Sequence, residues 1–357
     1  MVPISPSEPD DLARRLGCSV AAVALTRDAD LIDLHIDTLI PPRLWGYDVL
    51  ARHGRPLGGR FFGHLDLPRM VDAGLDGAMW SITTNPFRTT SSRLRTFHRN
   101  LVSLERLIAR SAGQLAFARS AAEYRALRAR GVHAVLLSIQ GGNALEAAPE
   151  GPGVVSDRRL TRVTLVHLTN SGFGATSSPG HGLRRAKGLT ESGRRFVAQL
   201  AEHRVFLDLA HVHPQTFWDA VEAHDRHLPF VVTHTGVCGV RPHWRNLDDD
   251  QIRATAESGG VVGVIVAQQF LRRRGGPRDC GMVIEHMEHI IQIGGEDALA
   301  VGTDFDGAIT PPPGLRTGEC YPVMVQRMLD RGWPEGRIRK ALGENFLRTF
   351  EALRPGA

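Results

Sequence analysis

Histidines and aspartates at the ends of short apolar runs are the residues of this chain best suited to chemistry. One run ends in His35-Ile-Asp37, others in His167, His211 and His234, and the last in Asp304-Phe-Asp306; a further run, Ala134-Val-Leu-Leu-Ser-Ile139, leads into Gln140 and then Gly141-Gly142. Imidazole and carboxylate are the usual protein ligands of zinc, and a catalytic ion keeps one position open for water. In His35-Ile-Asp37 the spacing has a physical reason. Residues two apart on a strand point to the same face, so both side chains can share one ion. The chain holds 16 histidines, and a lone one at a strand end is more often a satisfied core residue. Four at the ends of separate runs, with His-x-Asp and Asp-x-Asp beside them, point to a metal centre.

The elements that must position these groups follow from the apolar runs themselves. Eight runs are short, apolar and β-branched, and are bounded by Gly, Pro or polar clusters: Leu31–Asp37, Ala78–Thr83, Ala134–Gln140, Arg162–Leu168, Val205–His211, Phe230–His234, Gly260–Ala267 and Leu299–Asp304. Most are nearly continuous in apolar character, as strands covered on both faces are. Helical patterns lie between them, among them Arg93–Arg110, Ala121–Arg130, Glu191–His203, Pro214–Ala223 and Asp248–Ser258. Eight β–α alternations predict an α/β fold of the (β/α)8 TIM-barrel type, with its chemistry at the C-terminal ends of the strands. Residues 1–357 read as a single barrel domain, with residues 1–30 as a helical extension. The segment Asp11–Val23 resembles the start of a helix-turn-helix. Too little chain precedes the first strand for a DNA-binding domain, so a helix packed on the bottom or side of the barrel is the better reading.

Composition excludes several classes. Apolar content of 42%, charge of 23% and a net charge of +5 are ordinary for a globular enzyme. The basic cluster Arg272-Arg-Arg274 lacks aromatic interleaving and reads as a solvated loop, not a nucleic-acid patch. The N-terminus lacks a basic stretch followed by an apolar one, and no apolar run reaches the roughly 18 residues of a membrane span. Cys18, Cys238, Cys280 and Cys320 are widely spaced and fit reduced thiols in a cytoplasm.

A family resemblance then emerges, carried by Ile32-Asp-Leu-His-Ile-Asp37, Ser138-Ile-Gln-Gly-Gly142, Thr164-Leu-Val-His-Leu-Thr169, Gly188-Leu-Thr-Glu-Ser-Gly193, Leu207-Asp-Leu-Ala-His-Val212, Arg245-Asn-Leu247, Val301-Gly-Thr-Asp-Phe-Asp-Gly307 and Gly343-Glu-Asn-Phe-Leu-Arg348. In this order the motifs resemble the membrane (renal) dipeptidase family of metallopeptidases, from about Leu31 to Leu353. The resemblance implies a binuclear-zinc (β/α)8 enzyme that cleaves dipeptides. It implies that His35, Asp37 and Asp304 hold one zinc and His211 and His234 the other, that His167 stabilises the oxyanion, and that Arg245 binds the substrate carboxylate. Three positions depart from the family pattern. A glutamate that bridges both metals is expected where this chain has Gln140. A histidine is expected where it has Asn143, which with His167, Arg245 and Ala267 is a candidate substrate contact. A pocket-lining tyrosine is expected at the end of Ile265-Val-Ala267, where this chain has Ala267.

The loss of that carboxylate is costly. Two divalent ions about 3.5 Å apart repel by roughly 19 kcal/mol at an effective dielectric of about 20, which is why such pairs are bridged by anions. A neutral amide oxygen is a poor bridge, so Gln140 weakens one of the two zinc sites. On charge grounds alone, Gln140→Glu restores the second ion. The sequence thus reads as a cytoplasmic, zinc-dependent, dipeptidase-like hydrolase acting on a small dipeptide or amide. It has no nucleic-acid or membrane partner, and a homodimer is left open. Asp304 shuttles the proton to the leaving amine. The alternative is a repurposed enzyme doing isomerisation, dehydration or biosynthetic tailoring. A non-catalytic binding protein is disfavoured because the histidines are retained.

Overall fold

The computed structural model describes residues 4–85, 88–179 and 188–356. Its strands fall where the apolar runs predict them: β1 (Ile32–Ile36), β2 (Gly77–Thr83), β4 (His133–Gln140), β5 (Leu160–Thr164), β6 (Phe206–Asp208), β7 (Val232–Thr235), β8 (Val262–Val264) and β9 (Leu299–Val301). A short β3 (Leu115–Phe117), absent from the expected eight, pairs with the first half of β4 and extends the floor. Three residues carry too little pattern to stand out from the loop that precedes them.

All named pairings are parallel. They form two arcs, β1-β2-β4-β5-β6 and β7-β8-β9. The parallel bridges Ile36↔Phe305 and Asp208↔Val231 join the arcs at both seams. Backbone bonds hold the seams, Asp37 N to Phe305 O at 2.8 Å and Leu209 N to Val231 O at 2.9 Å among them. The fold is therefore a closed (β/α)8 TIM-type barrel. Closure on the β7–β9 side needs residues without side chains. A Cβ on Gly263 would lie 2.0 Å from Thr233 O, and one on Gly302 only 1.7 Å from it.

The helices start where capping chemistry allows. Thr89 accepts from Ser92 N at the head of Thr90–Arg110, and Thr190 from Gly193 N at the head of Glu191–Glu202. Asp248 and Gln251 form a reciprocal capping box on Asp249–Glu257. The N-terminal extension forms α1 (Pro9–Leu16) and α2 (Val20–Asp28). They bury Leu12, Ala13 and Val23 in a small apolar cluster, and α2 lies against the helix Tyr321–Asp330. The segment that resembled a helix-turn-helix thus packs against the helix Tyr321–Asp330. Residues 1–3 of the extension lie outside the described residues.

One irregularity matters for the site. Between β4 and β5 the register slips, from Leu137↔Leu160 to Ser138↔Arg162, so Thr161 is extra. A bulge of this kind re-aims the side chains that follow it. Here it accompanies a fully buried arginine, Arg162.

Candidate functional site

The strand ends bring His35, Asp37, Gln140, His211, His234 and Asp304 together. His35 Nε2 lies 3.4 Å from Asp304 Oδ1 and 3.7 Å from Asp37 Oδ2. The His35 and His234 rings stack with centroids 3.8 Å apart. His211 Nε2 and His234 Nε2 are 2.8 Å apart, and the Gln140 amide nitrogen sits 3.2 and 3.4 Å from these same two atoms. His167 stands edge-to-face against His211, with centroids 4.7 Å apart. The groups open onto a cavity of about 890 Å³, whose wall includes Asp37, Gln140, His167, His211 and Asp304.

Backbone geometry, as well as strand alternation, aims them. His211 and Asp304 sit at φ +66° and +63°, the left-handed region that costs a non-glycine residue about 1–2 kcal/mol. The surroundings hold both in place. His211 O accepts from Ser177 N and Thr176 Oγ1, and Asp304 N donates to His35 O. The left-handed turn also splits the Asp304-Phe-Asp306 pair. Asp304 faces the site, while Asp306, at φ +67°, turns to accept from His64 N at 2.8 Å and Thr38 Oγ1 at 3.0 Å.

Burial dominates the electrostatics. It holds the imidazoles of His35, His211 and His234 well below their usual range and brings His167 down to about 4. It pushes the Asp37 carboxyl up to about 6. Burial, and then repulsion from Asp37, lifts Asp304 well above the ordinary carboxylate range. These groups are uncharged imidazoles and reluctant carboxylates, a combination that a cation stabilises.

The donor set fits a divalent ion. His35 Nε2, Asp37 Oδ1 and Gln140 Oε1 are buried without a hydrogen-bond partner among the described residues. One ligand atom from each of His35, His234 and Asp304 lies within 4.8 Å of the others. An anion-bridged pair of ions fits less well, because Gln140 at the centre is neutral.

Three expected substrate contacts are not on the cavity wall. Ala267 is fully buried. The chain leaves β8 at Val264, and the short helix Gln268–Leu271 carries Gln269 and Phe270 to the wall instead. Asn143 is buried in the loop after Gln140, with its carbonyl held by Arg93 Nε at 3.0 Å. Arg245 is buried and donates to His234 O at 2.7 Å, while Arg43, Arg88 and Arg99 line the cavity. In each case the departure has one cause: a loop or short helix, not the strand end, sets where the side chain goes.

Sequence reasoning passed over a layer beneath the site. Asp208 Oδ2 accepts from Thr164 Oγ1 at 2.6 Å and Thr233 Oγ1 at 2.7 Å, and Oδ1 accepts from Ala210 N and Thr233 N. Arg162 pairs with Asp208 at 3.2 Å, and its NH2 group reaches His35 Nδ1 and Ser81 Oγ, each at 2.7 Å. The available signal was an arginine at the start of a strand buried on both faces.

The sequence profile of the membrane dipeptidase family, peptidase family M19, matches residues 20–355. This chain belongs to that family. An uncharacterised protein in the pqqA 5′ region of Klebsiella pneumoniae is 32% identical over 260 residues, which cover 70% of this chain and 93% of that relative. Among solved structures, a family M19 metallopeptidase described as dipeptidase AC is 28% identical, with a TM-score of 0.80 over 91% of this chain and 98% of that one. A metallopeptidase from Rhodobacter sphaeroides, liganded with a phosphinate mimic of L-Ala-D-Ala, is also 28% identical, with a TM-score of 0.78 over 91% and 99%. Among the described residues no helix is long and apolar enough to cross a membrane.

Proposed function

We propose that the chain, as one barrel domain with its N-terminal helices as an extension, hydrolyses small dipeptide-like amides in the cytoplasm with the help of zinc, one ion being held firmly and the second site weakened. The observation that carries this reading is the convergence of three imidazoles and two carboxylates, with unpartnered buried atoms, on one cavity. His35, Asp37, His211, His234 and Asp304 are the candidate ligands, and Gln140 is a poor one. When bound, the ion supplies Lewis-acid polarisation of the scissile carbonyl and acidifies water.

The chain's own residues supply the rest. His167, a neutral imidazole on the cavity wall, donates to the carbonyl oxygen as that oxygen gains charge. Asp304, whose carboxyl burial has made easier to protonate, carries the proton to the leaving nitrogen. A substrate carboxylate meets guanidinium groups at Arg88 and Arg99 on the wall, a role that the family resemblance gives to Arg245. The free thiols Cys18, Cys238, Cys280 and Cys320 suit a reducing compartment.

Zinc analysis of the purified chain, paired with a dipeptide and N-acyl amide library, tests the reading. We expect bound zinc and slow turnover of some library members. Zinc-loaded protein that cleaves none of them would rule out hydrolysis. The second reading, a non-hydrolytic tailoring step, is favoured by one observation: a neutral amide, Gln140, stands beside both His211 and His234.

A further inference from the structure

Proximity gathers the site's imidazoles, but their outer hydrogen bonds decide which of them can bind an ion. A neutral histidine carries one proton on one ring nitrogen, and only the other nitrogen has a lone pair to give. Metal-bound histidines therefore donate their second N–H to an acceptor.

His234 is arranged that way. Its Nδ1 lies 2.9 Å from Thr233 Oγ1. The single proton of that hydroxyl goes to Asp208 Oδ2 at 2.7 Å, so Thr233 Oγ1 accepts from His234 Nδ1–H. The proton sits on Nδ1, and Nε2 keeps its lone pair facing the site.

His35 is arranged the other way round. Its Nδ1 lies 2.7 Å from Arg162 NH2. A guanidinium has donors only, so His35 Nδ1 must accept. An N–H at that position would point into another N–H at 2.7 Å. The proton of His35 is therefore on Nε2, the atom that faces Asp304 and Asp37. For Nε2 to bind an ion, the ring would have to give up its only N–H proton. Arg162 cannot readily swing away, because it is fully buried and tied to Asp208, Ser81 Oγ and Ile139 O.

We propose that Arg162 is a positioning residue that fixes His35 as a hydrogen-bond donor, so that the site holds a single divalent ion on His234 and Asp304 without His35. His35 then points its Nε2–H toward the carboxylates of Asp37 and Asp304, 3.7 and 3.4 Å away, instead of serving as a ligand. The proposal rests on the metal reading above and departs from it by assigning the two halves of the site different work.

The test uses the full chain labelled with ¹⁵N-histidine. In chelator-treated protein, long-range ¹H–¹⁵N correlation separates protonated from unprotonated ring nitrogens, and His35→Ala and His234→Ala assign the signals. The expected result is opposite tautomers, with His35 protonated at Nε2 and His234 at Nδ1. In Arg162→Met the His35 preference should be lost. Zinc titration should then give one ion per chain, lost in His234→Ala and kept in His35→Ala. His35 protonated at Nδ1, two ions per chain, or equal loss of zinc in both variants would each overturn the proposal. The tautomer measurement on the unmutated chain decides even if a variant fails to fold. A chain that binds no zinc yet shows the opposite tautomers overturns the metal reading and the ion assignment, and leaves the role of Arg162 in setting the His35 tautomer standing.

Discussion

Two buried aspartates stand beneath the two halves of the barrel mouth, and they are satisfied by different means. Asp33, under His35, accepts from His35 N, Thr303 N, Thr303 Oγ1 and the Tyr321 hydroxyl, with no cationic side chain in contact among the described residues. Asp208, under His211 and His234, accepts from Ala210 N, Thr233 N and two threonine hydroxyls, and also faces the Arg162 guanidinium. Hydrogen bonds alone satisfy the first. The second is half of a fully buried ion pair whose other half reaches across to His35. One half of the mouth therefore borrows its charge balance from the other.

The largest expected effect follows from that asymmetry. Asp208→Asn leaves Arg162 buried without its counter-charge and should cost about 3–5 kcal/mol in urea unfolding. Asp33→Asn loses hydrogen bonds but strands no charge, and should cost about 1–3 kcal/mol near neutral pH. Arg162→Met combined with Asp208→Asn should cost less than the two single changes summed, because the pair leaves together. Equal costs for Asp33→Asn and Asp208→Asn would break the comparison.

Acid sharpens it. Burial pushes the Asp33 carboxyl from 3.8 up to about 6. Between those values the folded chain holds a proton that the unfolded chain gives up, so this group's contribution to stability falls as pH rises through the window and is restored on acidification. The shift corresponds to on the order of 3 kcal/mol. Asparagine cannot titrate, so the cost of Asp33→Asn should grow by up to that amount from pH 7 to pH 4. Paired urea titrations of the native chain and the variant at the two pH values read this directly; a flat difference would mean that Asp33 is not held in the way its contacts indicate.

What was legible in the sequence divides along the same physical line. The barrel strands are short, apolar and β-branched, and that pattern placed eight of them. The candidate ligand positions were read from strand ends, and the side chains of His35, Asp37, Gln140, His211, His234 and Asp304 lie close together. Ala267, Asn143 and Arg245 were expected on the cavity wall, but each lies where a loop or short helix sets the direction, and periodicity carries no information there. Arg162 was hidden for a different reason. Its burial depends on a one-residue bulge and on an aspartate 46 positions away, neither of which leaves a local pattern.

The smallest expected effect is the most discriminating for function. Judged by charge alone, Gln140→Glu should rebuild a bridge and bring in a second ion. The hydrogen bonds around His35 argue otherwise, because a new carboxylate at position 140 leaves Arg162 on His35 Nδ1 and the proton on Nε2. The added charge lies beside His211 and His234, so it should tighten the ion on that side by about tenfold or more, ~1.4 kcal/mol, while the count stays at one per chain. A competition titration against a zinc-binding dye measures both quantities. If hydrolysis of an Ala-Ala-like dipeptide rises with affinity, Gln140 is simply a weakened ligand in a hydrolase. If affinity rises and hydrolysis does not, the neutral amide belongs to a different reaction run on the same barrel. A rise to two ions would show instead that His35 Nε2 can be recruited as a ligand, and that the two halves of the mouth are alike after all.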